Sequence, residues 1–189
     1  MERRTCLQCL AAGAAACVAP LRARGSVAPP PEARAALPGA RLQGSSRMRF
    51  FGLHIYDARL WVGEDYPRER PANEDWSRHA VECARVLQLE QDGVEIAERS
   101  IEEMERAGPL APQQSQRWLV FMSRAFPNVT DGTRLSALHR PGEAVRFFVD
   151  GSPGREIHDG AFAERFFGIW LGVHTSQPAH RRQLLGSAP

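Results

Sequence analysis

The stretch IHDGAFAERFFGIWLGVHTSQPAHRRQLLG, residues 157–186, decides the fold, because it places a strongly apolar helix pattern between clear start and stop signals. Asp159 is suited to cap a helix, and Gly172 is suited to end it. The apolar residues between them follow the i, i+4, i+7, i+8 spacing of one buried face: Phe162, Phe166, Ile169 and Trp170. A second, shorter helix is predicted to start near Ser176 and to stop at Gly186. The stretch is therefore predicted as two helices that need a surface to pack on.

Strand patterns upstream provide that surface. Residues 49–62 have strand composition and predict one long strand or two strands that meet at a bulge. Residues 80–90 alternate so that one face is largely apolar, with Arg85 in its middle. Three further short strands, separated by turns rich in proline and glycine, are predicted over residues 133–158.

Two amphipathic helices are predicted between these groups of strands. Asp92 is suited to cap the first, which Gly108 ends, and the second covers residues 112–126. The order is therefore strands, two helices, strands, two helices. This order predicts an α+β domain in which helices pack on one face of a largely antiparallel sheet.

The N-terminus has the pattern of an export signal. Residues 1–25 combine an arginine pair with a thirteen-residue apolar run, which is short for a bilayer span. The pair Arg3-Arg4 resembles a twin-arginine signal, and lipid attachment at Cys17 is a less favoured alternative. Residues 26–38, rich in proline and alanine, are predicted as a linker. The folded domain is predicted over residues 39–186, in the periplasm or secreted.

Charge and motif content argue against several functional classes. All 24 basic residues are arginine, and removing residues 1–25 leaves 20 basic and 21 acidic residues. Such a balanced chain lacks the basic excess of a nucleic-acid-binding protein. The six histidines form no metal-ligand pair, and no nucleophile elbow or phosphate-binding glycine loop is present. We therefore expect no metal, no cofactor and no stable membrane span in the mature chain.

Several motifs, taken in their order, resemble those of exported bacterial chalcone isomerase-like proteins. They are GLHIYDARLW (52–61), IAERSIEEM (96–104), DGTRL (131–135), FFGIWL (166–171) and LLG (184–186). The resemblance covers roughly residues 38–186. It implies an open-faced β-sandwich, in which a large antiparallel sheet is covered by a layer of helices with a ligand cleft between them.

The resemblance implies an isomerase reaction only if the catalytic groups are present. Chalcone isomerases use an arginine on an early strand, for which Arg41 lies in about the right place, and hydroxyl groups that polarise the substrate ketone. If Tyr56 is aligned with the strand tyrosine of the family, the threonine position falls at Phe51, which has no hydroxyl. Fold alone does not confer the reaction, and the missing donor favours a protein that is not an enzyme.

Other members of this fold bind fatty acids without catalysis, and this is the favoured function. Such binding implies a carboxylate held by arginine and polar side chains, with the acyl tail in an apolar cleft. Arg41, Tyr56 and Arg85 are the candidate ligand-binding residues. The alternatives are a surface arginine, a core tyrosine and an arginine in an ion pair at the sheet edge, respectively. An isomerase acting on a chalcone-like or enone substrate, and a structural or interaction module, remain the alternative functions.

Overall fold

A six-stranded antiparallel sheet forms the centre of the computed structural model, which describes residues 27–67 and 75–186. The strands are β1 (Arg41–Phe50), β2 (Leu53–Val62), β3 (Val81–Leu87), β4 (Arg134–His139), β5 (Val145–Val149) and β6 (Ser152–Ile157). Each strand pairs with the next one along the chain, so the sheet is a meander. The predicted antiparallel sheet is confirmed.

Four helices cover one face of this sheet. They are α2 (Gly93–Glu105), α3 (Pro112–Ala125), α4 (Gly160–Leu171) and α5 (Pro178–Leu184). Their apolar faces share one core with strand residues such as Leu60, Cys83 and Phe147. This arrangement is the predicted α+β open-faced β-sandwich.

Helix α4 forms as its sequence predicts. The Asp159 carboxylate accepts a hydrogen bond from the backbone N–H of Phe162 at 3.1 Å, and Gly172 is the residue at which the helix ends. The apolar face is buried, with Phe162 and Phe166 stacked at 5.3 Å between ring centroids. Burial of these large rings fixes the helical layer on the sheet.

Residues 53–62 form a strand as predicted, but residues 49–62 are neither one long strand nor two strands that meet at a bulge. The chain instead reverses at Phe51 and Gly52, so that β1 and β2 form a hairpin. Both turn residues have positive φ, 45° for Phe51 and 83° for Gly52. A phenylalanine is an unusual residue at such a turn position, which is why composition alone did not show the turn.

The expectation that residues 26–38 form only a linker is wrong for residues 31–36. These residues form helix α1 (Pro31–Ala36), in which Ala33 is fully buried. Together with Leu37, Ala33 packs on Trp61 and Leu138, on the sheet face opposite to α2–α5. The short segment needs no core of its own because the sheet supplies one. The predicted export signal, residues 1–25 with Cys17, lies outside the described residues and stays a prediction.

Strand β3 sends charged groups to both faces of the sheet. Its residues alternate as predicted, with Cys83, Arg85 and Leu87 towards α2–α5 and Glu82 towards α1. Arg85 is therefore held under the helical layer by the register of the sheet, opposite Ala58 on β2.

Candidate ligand-binding site

A cavity of about 450 Å³ lies between the sheet and helices α2, α4 and α5. Its volume falls within the range of about 300–1,000 Å³ typical of small-molecule sites. The apolar part of its lining is Met48, Phe50, Ile55, Ile96, Ile169 and Trp170. The polar part is Tyr56, Arg85, Gln91, Glu95, Arg99, Ser100, Glu103, Ser176, Gln177 and His180. The cavity therefore suits a ligand with both an apolar and a polar portion.

Arg85 is the central charged group of the cavity wall. Its guanidinium carbon lies 4.8 Å from the ring centroid of Trp170 and 5.7 Å from that of Tyr56. Within the described residues, no carboxylate forms an ion pair with Arg85 and no oxygen accepts a hydrogen bond from its side chain. Burial lowers the pKa of Arg85 from its ordinary value, while the nearby Tyr56 and Cys83 oppose that shift. Among the described residues, the Arg85 cation thus lies beside two aromatic rings and has no anionic partner.

Tyr56 and Trp170 form the frame around this cation. The indole N–H of Trp170 donates a hydrogen bond of 3.1 Å to the Tyr56 hydroxyl oxygen. Burial raises the pKa of Tyr56, so its hydroxyl stays protonated at neutral pH. Because this hydroxyl accepts from Trp170, its own proton remains available for a ligand oxygen.

His180 adds a neutral polar group on the α5 side of the cavity. It is buried, and its ring meets Tyr56 edge-on at 5.7 Å between centroids. Burial, together with the charge of Arg85, lowers the pKa of His180 to about 4. Neither ring nitrogen has a hydrogen-bond partner among the described residues. A neutral imidazole is therefore present to accept or donate a hydrogen bond.

The close seating of α5 on β1 brings His180 to this position. Gly44 lies directly against the backbone carbonyls of Gln183 and Leu184, where a Cβ atom would collide with them. The Ser46 hydroxyl also donates a hydrogen bond to the Gln183 side chain. A glycine in β1 is therefore required for α5 to approach the strand.

The exposed side of the cavity is formed by charged residues of α2. Arg99 contacts Glu103 at 2.5 Å and Glu102 at 2.8 Å. These ion pairs join Arg99 to carboxylates of its own helix, whereas Arg85 has no carboxylate partner among the described residues. The polar anchor for a ligand is therefore expected on the sheet side of the cavity.

Arg41, the third residue predicted for the site, does not line this cavity. It starts β1 opposite Val62, while Tyr56 pairs with Met48 seven residues further along that strand, which corresponds to roughly 20 Å. The Arg41 guanidinium donates to the Gln43 side chain at 2.5 Å and to the backbone oxygen of Tyr66 at 2.9 Å. Arg41 therefore fixes the chain after β2, and the structure brings only Tyr56 and Arg85 together.

Comparisons with known proteins place this geometry in a family. The model of a chalcone isomerase-like family matches residues 41–186. The chain belongs to the chalcone isomerase-like family. A solved structure of a fatty-acid binding protein from Arabidopsis thaliana is similar, with a TM-score of 0.58 at 12% identity, over 78% of this chain and 87% of that chain. At this identity the likeness shows the shared fold. No curated protein sequence matches the chain.

Phe51 has a different place from the one that the family resemblance implied for a catalytic threonine. It lies at the tip of the β1–β2 hairpin with 92% of its surface exposed. It is not among the residues that line the cavity of this chalcone isomerase-like protein. The lack of a hydroxyl at Phe51 therefore does not bear on the chemistry beside Arg85.

Trp170 and His180 are the site residues that sequence reasoning missed. Trp170 was interpreted as a core residue only, and it is both buried and part of the cavity wall. His180 shares the buried face of α5 with Leu184, four residues later. The sequence feature that could have indicated His180 is a histidine at an apolar position of a helix that begins with proline. Such a histidine is more often a core residue than a ligand contact.

Proposed function

We propose that this protein binds a fatty-acid-like ligand without transforming it, with the ligand carboxylate on Arg85 and the acyl tail along the apolar wall of the cavity. The observation that carries the proposal is the Arg85 guanidinium, which faces a cavity of about 450 Å³ with no anionic partner among the described residues. The similar fold of a fatty-acid binding protein supports the same class of ligand.

Partial desolvation of the Arg85 guanidinium favours the binding of an anion. A cation enclosed by protein loses hydration, at an effective cost of several kcal/mol unless a counter-charge or hydrogen bonds restore it. The faces of Trp170 and Tyr56 offset part of this cost through cation–π contacts. A carboxylate would supply the missing charge and accept two parallel N–H bonds from the guanidinium.

The hydroxyl and imidazole groups beside Arg85 suit the same ligand head group. The Tyr56 hydroxyl oxygen accepts a hydrogen bond from the Trp170 N–H, so the hydroxyl proton is available to donate to one carboxylate oxygen. The uncharged His180 ring is a second hydrogen-bonding group that does not repel Arg85. From this polar end, Ile55, Ile96 and Ile169 provide an apolar surface for an acyl chain.

The same groups give little support to proton-transfer chemistry. Tyr56, whose pKa is raised by burial, stays protonated at neutral pH and so cannot act as a base, and His180, with a pKa of about 4, is neutral there and has no imidazolium proton to donate. Binding needs only the charge and the hydrogen bonds that the wall presents. The isomerase alternative therefore ranks second.

Calorimetric titration with hexadecanoate tests the proposal. We expect wild-type protein to bind one equivalent, and Arg85→Met to bind at least about 30-fold more weakly, as expected when one member of an enclosed charge pair is lost. Arg41→Gln is the matched control, since it removes an arginine outside the cavity and should leave the affinity within about threefold. The methyl ester of the same acid should bind the wild type more weakly than the acid.

Two results would contradict this function. One is a wild-type protein, freed of bound lipid, that takes up no fatty acid. The other is an Arg85→Met variant that binds the acid as tightly as the wild type, which would place the carboxylate elsewhere. Turnover of an enone substrate that depends on Arg85 would favour the isomerase alternative instead.

A further inference from the structure

The tip of the β1–β2 hairpin exposes three large apolar side chains. Phe50, Phe51 and Leu53 have 58%, 92% and 61% of their surfaces accessible, and we call these three residues the tip patch. Phe50 and Leu53 form the last pair of the hairpin, and the rings of Phe50 and Phe51 lie edge to face at 4.5 Å. The patch therefore projects from the end of the sheet into solvent.

The backbone conformation at the hairpin tip is unfavourable for Phe51. A two-residue turn with positive φ at both positions, here 45° and 83°, resembles a type I′ turn, in which Asn-Gly is the preferred pair. Phe51 occupies the place of the asparagine, although a bulky residue at positive φ is strained. With 92% of its surface exposed, Phe51 gains little packing in return. The folding of this chain does not account for a phenylalanine at this position.

The tip patch is continuous with the cavity. Phe50 belongs to both, and Met48 and Ile55, which lie behind the tip on β1 and β2, line the cavity. An apolar surface thus runs from the exposed tip to the interior. A ligand with poor solubility in water could follow this surface without full exposure to solvent.

Basic residues stand behind the apolar tip on β1. Arg49 is exposed and has no ion-pair partner among the described residues. Arg47 is also exposed, and its guanidinium contacts Asp57 at 2.8 Å. An apolar end with arginine behind it matches the layering of a bilayer surface, in which anionic head groups lie outside the acyl chains.

We propose that the tip patch inserts into the surface of a bilayer that contains anionic phospholipid, so that the mouth of the cavity opens at the lipid. A narrow protruding hairpin can enter the boundary between head groups and acyl chains, about 5–10 Å deep. A stable protein partner would need about 800 Å² of matched surface, much more than three side chains at a hairpin end provide. Among the described residues, no helix is long and apolar enough to cross a bilayer.

Vesicle sedimentation with a stability measurement tests this proposal. The probes are vesicles of phosphatidylcholine alone and vesicles that also contain phosphatidylglycerol. We expect Phe51→Asn to lower partition onto the mixed vesicles about tenfold, as for the loss of one buried aromatic side chain. The same variant should melt at the wild-type temperature or above it, because asparagine tolerates the left-handed conformation. Weaker vesicle binding in a protein that is no less stable cannot arise from unfolding.

Two further variants complete the design. Arg49→Gln should reduce partition about fivefold on the mixed vesicles and leave the weaker binding to phosphatidylcholine unchanged. Val120→Gln removes an exposed apolar side chain, 38% accessible, from α3, which contributes no residue to the cavity, and it should bind vesicles as the wild type does.

The proposal is overturned if wild-type protein does not bind the mixed vesicles or if Phe51→Asn binds them as well as the wild type. It is also overturned if Phe51 instead supports a dimer in lipid-free sedimentation. Calorimetry of Phe51→Asn with hexadecanoate in vesicle-free buffer separates this proposal from the proposed function. We expect its affinity to be unchanged there, so that loss of vesicle binding alone concerns the tip patch and loss of ligand binding alone concerns the cavity.

Discussion

Strand β3 carries a charged side chain to each face of the sheet, and the two environments differ. On the α2–α5 face, Arg85 borders a cavity, lies against the rings of Trp170 and Tyr56, and forms no ion pair within the described residues. On the α1 face, Glu82 is fully buried near Glu32, which pairs with Arg134 and accepts a hydrogen bond from a serine of β4. Both groups are ionisable, but Glu82 is fully buried, whereas Arg85 is partly buried and faces space that a molecule can fill.

This difference separates a charge that borders open space from a charge that is buried within the fold. Burial raises the pKa of Glu82 to about 8, and the negative charge of Glu32 adds to the shift. Glu82 therefore stays protonated at neutral pH and carries no charge there. Arg85 has no such route, because a guanidinium stays protonated even when its pKa is lowered. The rings of Trp170 and Tyr56 compensate its charge in part, and a bound anion would add to that compensation.

Matched tryptophan truncations on the two faces should give the largest effects. Trp61 on the α1 face and Trp170 on the cavity face are 1% and 5% exposed. We expect each change to alanine to lower the free energy of unfolding by about 3–5 kcal/mol, as for other buried aromatic residues. At temperatures where both variants remain folded, only Trp170→Ala should also lose hexadecanoate affinity. Chemical denaturation and calorimetry on the same samples measure both quantities, and equal losses of affinity would show that the two faces do not differ in function.

Glu82→Gln should change how stability depends on pH. Folded Glu82 has a pKa of about 8, above its unfolded value, so the folded state holds a proton that the unfolded state releases. Wild-type stability should thus fall as pH rises from about 4.5 to about 8, with a slope of up to about 1.4 kcal/mol per pH unit from this one group. The glutamine variant lacks this contribution and should be relatively more stable at pH 8.

Urea denaturation of both proteins at several pH values measures the difference. Glu156→Gln is the control, because Glu156 forms only exposed ion pairs, with Arg146 and His158, among the described residues. Exposed pairs contribute little, so this variant should leave the pH dependence nearly unchanged. A constant difference between wild type and Glu82→Gln over this pH range would contradict a protonated Glu82 beneath α1.

Arg85→Met should stabilise the ligand-free protein while it weakens binding. The substitution replaces a partly buried cation, which has no ion-pair partner among the described residues, with an apolar side chain of similar length. Replacement of fully buried ion pairs by apolar residues has raised stability by about 1–4 kcal/mol. Loss of the cation–π contacts offsets part of the gain, so we expect a value near the lower end. Thermal melting without ligand measures it. Destabilisation by more than 1 kcal/mol would show that the aromatic frame already compensates the charge.

Much of the fold follows from short-range patterns. The alternation of β3 predicted the face of Arg85, and the Asp159 cap and the apolar spacing after it predicted α4. The two wrong predictions, for helix α1 and for the hairpin turn, concern structure that short stretches of sequence do not determine. Helix α1 is ordered by the surface of Trp61, which is distant in sequence, and the hairpin turn at Phe51 violates the usual residue preference of its backbone.

The site was less predictable than the fold, because its residues meet only through strand register and helix seating. Arg41 and Arg85 both had the right chemistry, but the pairing of β1 with β2 places Arg41 at the far end of the strand. His180 reaches Tyr56 because Gly44 lets α5 approach β1. Neither relation is visible in a local pattern.

The titration of His180 offers the finest test of the cavity face. Its pKa of about 4, below that of a free histidine, results from burial and then from the positive charge of Arg85. A carboxylate on Arg85 would cancel that charge, so we expect hexadecanoate to raise the His180 pKa, and Arg85→Met without ligand to raise it as well. The stability that this group contributes is present above about pH 6.5 and is lost as pH falls towards about 4. Ring-proton chemical shifts followed by NMR measure the pKa in each state. A ligand that fills the cavity without moving the His180 pKa would bind by its tail alone, with its carboxylate away from Arg85.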